Sequence, residues 1–190
     1  MNIVATSTVI LPEEPADHAA IELLGALAFG PGRYARTAFR IREQALHDPA
    51  LSLVAKRDGV VVGSVRMTAI RIGIRPAWLL GPLVVVPQLK GLGIGKALVA
   101  HAVAAAGRTE APTVLLVGDP PYYGPLGFRP VDTARVTLPG PVDPHRLLAH
   151  TPDGDTSQLA GAVRAAALSS PPLAPMAADL ESRPSKTATA

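Results

Sequence analysis

An apolar run from Trp78 to Val86, interrupted only by Gly81-Pro82, leads through Pro87-Gln88-Leu89 into the glycine-rich stretch Lys90-Gly91-Leu92-Gly93-Ile94-Gly95. Strong helix formers follow from Ile94 to Ala106. A strand that is apolar on both faces belongs in the middle of a covered sheet. Leu98, Val99, Ala102 and Val103 give the helix one apolar face, and Gly107 is a natural stop. A turn between such a strand and such a helix presents backbone amides and the positive end of the helix dipole, which suits an anionic phosphate. Glycines there let the ligand approach the backbone, Lys90 adds a positive charge, and a diphosphate is the natural guest. A ligand-free tight turn is the alternative. The stretch lacks the lysine and hydroxyl residue of the nucleotide P-loop, and its spacing is not that of the dinucleotide fingerprint, so neither a kinase nor a dehydrogenase fits.

Around this unit the chain reads as one α/β domain. Asp17 is placed to cap a helix with Ile21, Leu24, Leu27 and Ala28 at helical spacing, stopped by Gly30-Pro31-Gly32. Arg36 to Leu46 reads as a second helix, ended at His47-Asp48-Pro49. Leu51 to Lys56 and Val60 to Thr68 flank Arg57-Asp58-Gly59 as an antiparallel hairpin, which Ile70 to Ile74 extends or follows. Thr113 to Val117 is a further buried strand, Tyr122 to Leu126 a short helical turn, and Ala134 to Leu138 a strand of alternating polarity. Beyond Pro139 the pattern weakens, and Ser157 to Leu168 fits a strand or an alanine-rich helix. Ser169 to Ala190, rich in Pro, Ser, Thr and Ala, reads as a disordered tail after a domain spanning 1–168.

Composition removes several classes of function. With no cysteine there is no disulfide framework, thiolate metal site or cysteine nucleophile. The five histidines show no ligand spacing, so no metal is expected. Ala77 to Val86 falls short of the roughly 20 residues of a membrane helix, and Met1 to Leu11 lacks the marks of a secretory signal. A soluble, cytoplasmic protein without a membrane partner is expected. A net charge of +3 does not promise the basic surface of a nucleic-acid binder, so nucleic acid is not an expected partner.

Val84 to Leu98, with its proline followed by the glycine stretch, resembles the central motif of the GNAT N-acetyltransferase superfamily. Lys90 stands where Gln or Arg is usual, keeping charge but not a forked or amide geometry. A second landmark, Gly118-Asp119-Pro120-Pro121-Tyr122-Tyr123-Gly124-Pro125-Leu126-Gly127-Phe128, resembles the segment after the superfamily's fifth strand, where Tyr precedes a Gly-Phe pair. The resemblance covers Pro12 to Leu138 and is nearest in detail to a bacterial branch of predicted N-acetyltransferases.

The resemblance implies a GNAT-like acyl-CoA N-acyltransferase fold: α/β, with a mixed, mostly antiparallel splayed sheet flanked by helices. It implies acetyl-CoA as cosubstrate, CoA as product, and an amine acceptor on a small molecule, protein or peptide. Backbone groups of Leu83, Val84 and Val85 would meet the pantetheine arm, and Gly81-Pro82 suits a strand irregularity there. Lys90, Gly91, Leu92, Gly93, Ile94, Gly95 and Lys96 would hold the pyrophosphate, with Asp119 and Tyr123 also at the cofactor. Tyr123 is the expected general acid for the leaving thiolate, since a phenol of reference pKa about 10 is protonated at neutral pH. A packed tyrosine is the alternative, and Tyr122 is expected in the core.

Trp78 to Val86 carries no carboxylate or histidine to serve as general base. Asp119 and Glu43 are candidates, as is a water chain; turn hydrogen bonds equally explain Asp119. Arg33, Arg36 and Arg40 recur at helical spacing near the expected acceptor cleft, where an anionic acceptor or a solvated helix face accounts for them. A non-catalytic acyl-CoA-binding or regulatory module is the second functional reading, and transfer to aminoacyl-tRNA ranks last. Oligomeric state is open, a homodimer being one option.

Overall fold

The computed structural model describes residues 7–31 and 37–166. The tail expected at Ser169 to Ala190, and Arg33 and Arg36 of the arginine series, lie outside the described residues. The elements are β1 (Thr8–Pro12), α1 (His18–Phe29), α2 (Thr37–Arg42), β2 (Leu53–Arg57), β3 (Val60–Ile72), β4 (Arg75–Val85), α3 (Ile94–Ala106), β5 (Val114–Val117), α4 (Pro120–Tyr123), β6 (Arg129–Pro130), β7 (Val136–Thr137), β8 (Leu147–His150) and β9 (Gly161–Ala165). The main sheet runs β1-β2-β3-β4-β5-β8-β6. Its pairs are antiparallel except β4 with β5. This is the mixed, mostly antiparallel arrangement expected, with helices on its faces.

The splay is visible in the register. β4 and β5 pair only at Trp78↔Val114 and Leu79↔Leu115, after which β5 continues alongside β8 while β4 stays with β3. Across β3, Val65 faces Leu83 but Met67 faces Leu80, so Gly81 and Pro82 together oppose Arg66. That bulge, with a cis Gly81-Pro82 bond, bends β4 just where it leaves β5.

Long β3 shares one edge among three partners: β2 along Val60 to Val65, a single bridge to His47 at Thr68, and β9 along Ile70 to Ile72. The His47 bridge explains why the second helix stops at Arg42 instead of reaching Leu46. Asp48 N–H donates to Met67 O at 2.7 Å, which pulls the preceding residues onto the sheet edge. Asp17 does not cap α1 with its side chain; its carboxylate accepts from Glu14 N–H and pairs with Lys56 Nζ at 2.8 Å. The strand expected at Ala134 to Leu138 shrinks to Val136–Thr137, because the Asp132 side chain and carbonyl turn the chain through Ala134 and Arg135. Within Ser157 to Leu168 the strand alternative holds at Gly161–Ala165, β9, and residues 167 and 168 lie outside the described residues. β8, in the region where the pattern fades, is a full member of the sheet.

One core layer packs α3 on the sheet through Leu98, Val99 and Ala102 against Val65, Met67, Leu80 and Leu116. A second lies on the other face, where Ile41 of α2 joins Ile70, Leu79, Leu115, Leu147 and Val163. Leu98 is fully buried beneath the turn from β4 into α3. Leu98→Ala is expected to destabilise the fold by about 2–5 kcal/mol, read from denaturant unfolding at unchanged slope.

Candidate active site

A cavity of about 750 Å³ opens beside the splay. Leu80 to Val84 of β4 form one wall, and Leu116 to Asp119 with Tyr123 form the facing wall. Residues of α1, α2 and the segment to His47 close it from above. Ser64, Arg66 and Thr68, on alternate positions of β3, present one polar face into the cavity, whereas Val65 and Met67 point to α3.

Of the expected site residues, Leu83, Val84, Asp119 and Tyr123 line this cavity. Val85 does not line it; its Cγ2 and Leu83 Cδ2 would lie 3.6 and 3.8 Å from a Cβ on Gly95, so both side chains lean toward α3. The segment Lys90 to Lys96 continues from the end of β4 outside the cavity wall, with Lys90, Leu92 and Lys96 exposed. Gly93 adopts φ +81° at the N-terminus of α3, a conformation L side chains rarely take, and a Cβ on Gly91 or Gly93 would meet nothing within 4 Å. The loop therefore offers an open backbone surface at the head of a 13-residue helix. Leu92, Gly93 and Ile94 also border a shallower recess with Thr8, Ile10 and Arg57.

Tyr123 is held by its neighbours. Its ring lies against Gly118, where any side chain would collide with Cε2 and Cδ2, and it makes edge contacts with Tyr122 and Phe128 at centroid distances of 4.8 and 5.7 Å. Burial, with the nearby Tyr122 and Asp119, pushes its pKa up to about 12, so the phenol keeps its proton across the physiological range. Tyr122 is only half-buried rather than a core residue; its hydroxyl leans on the first turn of α3 at Gly95. Asp119 is exposed and pairs with Arg146 at 3.1 Å, while its backbone carbonyl accepts from Tyr122 and Tyr123 N–H. Glu43 lines the cavity from an exposed position, and Arg40 reaches the carbonyl of Pro139 at 3.5 Å.

The strongest charge cluster at the site was not anticipated. Arg66 grips Glu13 with a two-pronged contact, Nε to Oε2 at 3.0 Å and Nη2 to Oε1 at 2.8 Å, and reaches Glu22 at 2.9 Å and His18 Nδ1 at 3.1 Å. His47 Nε2 lies 3.1 Å from the same Glu13 Oε1. Burial alone would raise the Glu13 pKa, but hydrogen bonds from His47 and Arg66 outweigh it and hold the carboxyl at about 2. Arg42 leans over Gly81, its Nη2 2.9 Å from where a Cβ would be, and the hydroxyl oxygen of Ser64 is buried without a partner. The signal for part of this was present: Ser64, Arg66 and Thr68 put polar groups at period two into the apolar middle of β3. Glu13 and His47 carry no such pattern. Among the described residues no group of three or more His, Asp or Glu could hold a metal ion, and no helix is long and apolar enough to cross a membrane.

A family model described as the acetyltransferase (GNAT) family matches residues 16–122, more than half of the sequence. The chain belongs to the GNAT acetyltransferase family. It is accordingly an acyltransferase. The uncharacterized N-acetyltransferase YjhQ of Escherichia coli K12 is 28% identical over 121 residues, covering 62% of this chain and 67% of that protein. A GNAT family acetyltransferase from Brucella melitensis, solved with acetyl-CoA, is 30% identical with a TM-score of 0.56, over 79% of this chain and 99% of that one. The E. coli GNAT family N-acetyltransferase YhbS, solved with CoA, has the same fold at a TM-score of 0.70 and 23% identity, over 87% and 93% of the two chains.

Because the folded pKa of Glu13 lies below its ordinary value of 4.5, its stabilisation is present above pH 4.5 and disappears as pH falls toward 2. Glu13→Gln is expected to be less stable than the parent at pH 7 by roughly 2 kcal/mol, allowing for solvent screening, with the gap closing toward pH 2. Chemical unfolding at a series of pH values measures it; a gap that stays constant with pH would contradict the pairing.

Proposed function

We propose that this GNAT acetyltransferase moves an acetyl group from acetyl-CoA to a primary amine of a small molecule, protein or peptide by direct attack. The observation that carries the reading is the edge of β4 from Leu80 to Val85, left unpaired by β5, running from the cavity into the open glycine turn at the head of α3. An extended pantetheine arm needs a free strand edge, and a diphosphate needs convergent amides at a helix start. One continuous path offers both. The relatives from B. melitensis and E. coli that carry acetyl-CoA and CoA support the same cosubstrate.

In this reading the backbone of Leu83, Val84 and Val85 bonds the pantetheine. The turn from Lys90 to Lys96 takes the pyrophosphate, with Lys90 and Lys96 adding positive charge at its rim. The cavity receives the amine, Asp119 lies at its mouth beside the cosubstrate, and no metal takes part. The protein would act in the cytoplasm on either a small amine or an exposed amine of a polypeptide.

The chemistry follows from positioning. A neutral amine attacks the thioester carbonyl, a C–N bond forms, and the collapse of the tetrahedral intermediate breaks the C–S bond. Tyr123, whose high pKa keeps it protonated, donates to the departing thiolate.

Saturating acetyl-CoA is expected to raise the melting temperature, because a ligand that binds only the folded state stabilises it by about 2.7 kcal/mol at 100 times its Kd. No shift would remove the cosubstrate assignment. Tyr123→Phe is expected to lower kcat by about 10²–10⁴-fold with little change in acetyl-CoA affinity. Unchanged single-turnover transfer would take Tyr123 out of the acid role.

A further inference from the structure

An amine of ordinary basicity arrives as an ammonium ion and must lose a proton before it can attack. β4 supplies no side chain for this, and Asp119 is tied to Arg146. We propose that His47 is the proton acceptor for the incoming ammonium, and that Glu13, clamped by Arg66, is the positioning residue that sets its tautomer. The inference rests on the acetyl-transfer reading above.

Three observations on the fold carry it. His47 lines the same cavity as Tyr123 and the unpaired stretch of β4. Its backbone is fixed by the bridge to Thr68, in the gap on the β3 edge between β2 and β9, so the ring is held by the sheet and not by a free loop. Its Nε2 is 3.1 Å from Glu13 Oε1, a carboxylate kept ionised by a two-pronged arginine contact. An ionised carboxylate accepts only, so in the neutral ring Nε2 carries the hydrogen and Nδ1 holds the basic lone pair. The Glu13 charge then stabilises the imidazolium that forms.

The protons balance. His47 Nδ1 takes one proton from the ammonium, and the neutral amine attacks the thioester carbon. The C–S bond breaks and the thiolate takes the Tyr123 proton. The new amide nitrogen sheds its surplus proton to the Tyr123 phenolate. His47, whose side chain is 26% exposed, returns its proton to solvent. One acetyl group moves, CoA leaves as thiol, and one proton reaches bulk water.

The charged and titratable groups around His47 are Glu13 before α1, His18 and Glu22 on α1, Arg66 on β3, and Arg42, Glu43 and Asp48 on its own segment. Of these, His18 is the other imidazole, so the test separates the two. The experiment measures acetyl-CoA-dependent thiol release with two probe classes. One is lysine side-chain amines, pKa about 10.4; the other is peptide α-amines, pKa about 7.7–8.0. His47→Ala is expected to lower kcat/KM about 10²–10⁴-fold for the more basic amines and markedly less for the α-amines. In His47→Ala the acid-side fall of the pH profile should move toward the pKa of the amine itself, whereas His18→Gln should keep the wild-type profile. Added imidazole should restore part of the rate, and the acetyl-CoA-induced melting shift should persist, which reports an intact fold. Glu13→Gln should weaken kcat more than KM.

A His47→Ala enzyme with wild-type rate and pH profile, or an equal loss for both amine classes, would overturn the assignment while leaving acetyl transfer intact. A wild-type enzyme that transfers to neither class despite a melting shift with acetyl-CoA would overturn both the amine reading and this inference.

Discussion

β4 and β5 share two residue pairs and then part, and the rest of the site depends on that separation. Two neighbouring strands in a sheet normally satisfy each other's backbone groups along their length, and an unpaired edge inside a domain is expensive unless something else meets it. The bulge at Gly81-Pro82 lets β4 keep its ladder to β3 while bending away from β5. β5 finds its replacement partner in β8. The opening is therefore held by pairing on both outer sides, which makes it a rigid slot and not a frayed edge.

Opposite the bulge stands Arg66, and its placement explains the charge pattern of the cleft. A guanidinium this sheltered requires carboxylate partners, and Glu13, just after β1, and Glu22, within α1, supply them. The arrangement ties the chain before α1, the helix itself and β3 into one unit. An ion pair of this kind adds less to stability than its Coulomb attraction suggests, since both groups had to leave water. What it does supply is a fixed direction for the Glu13 oxygens, and so for whatever hydrogen-bonds to them.

The centre of the molecule was legible in the sequence because its signals are local. Trp78 to Val86 is apolar on both faces, the glycines follow it directly, and α3 begins and ends where its composition says. The Tyr123 to Phe128 segment was legible for the same reason, as was the hairpin turn at Asp58-Gly59, where both residues adopt positive φ. β8 was missed because Leu147 to His150 is four residues long, follows a Pro-rich turn, and earns its place only from pairing with β5 and β6. β9 was ambiguous because alanine-rich segments lack the branched residues that favour strands, and its pairing with β3 decided it. The Glu13, His47 and Arg66 cluster comes from three separate elements, and no spacing in the chain announces it.

The late strands have one more consequence. The motifs that identify the family end by Phe128, yet β8 covers β5 and β9 closes the far end of β3 only after residue 146. A chain emerging from the ribosome with every recognisable motif already present would still expose Val114 to Val117 as an uncovered apolar edge, open to pairing with another chain. The motif-bearing segment and the segment that completes the sheet are different lengths of the same polypeptide.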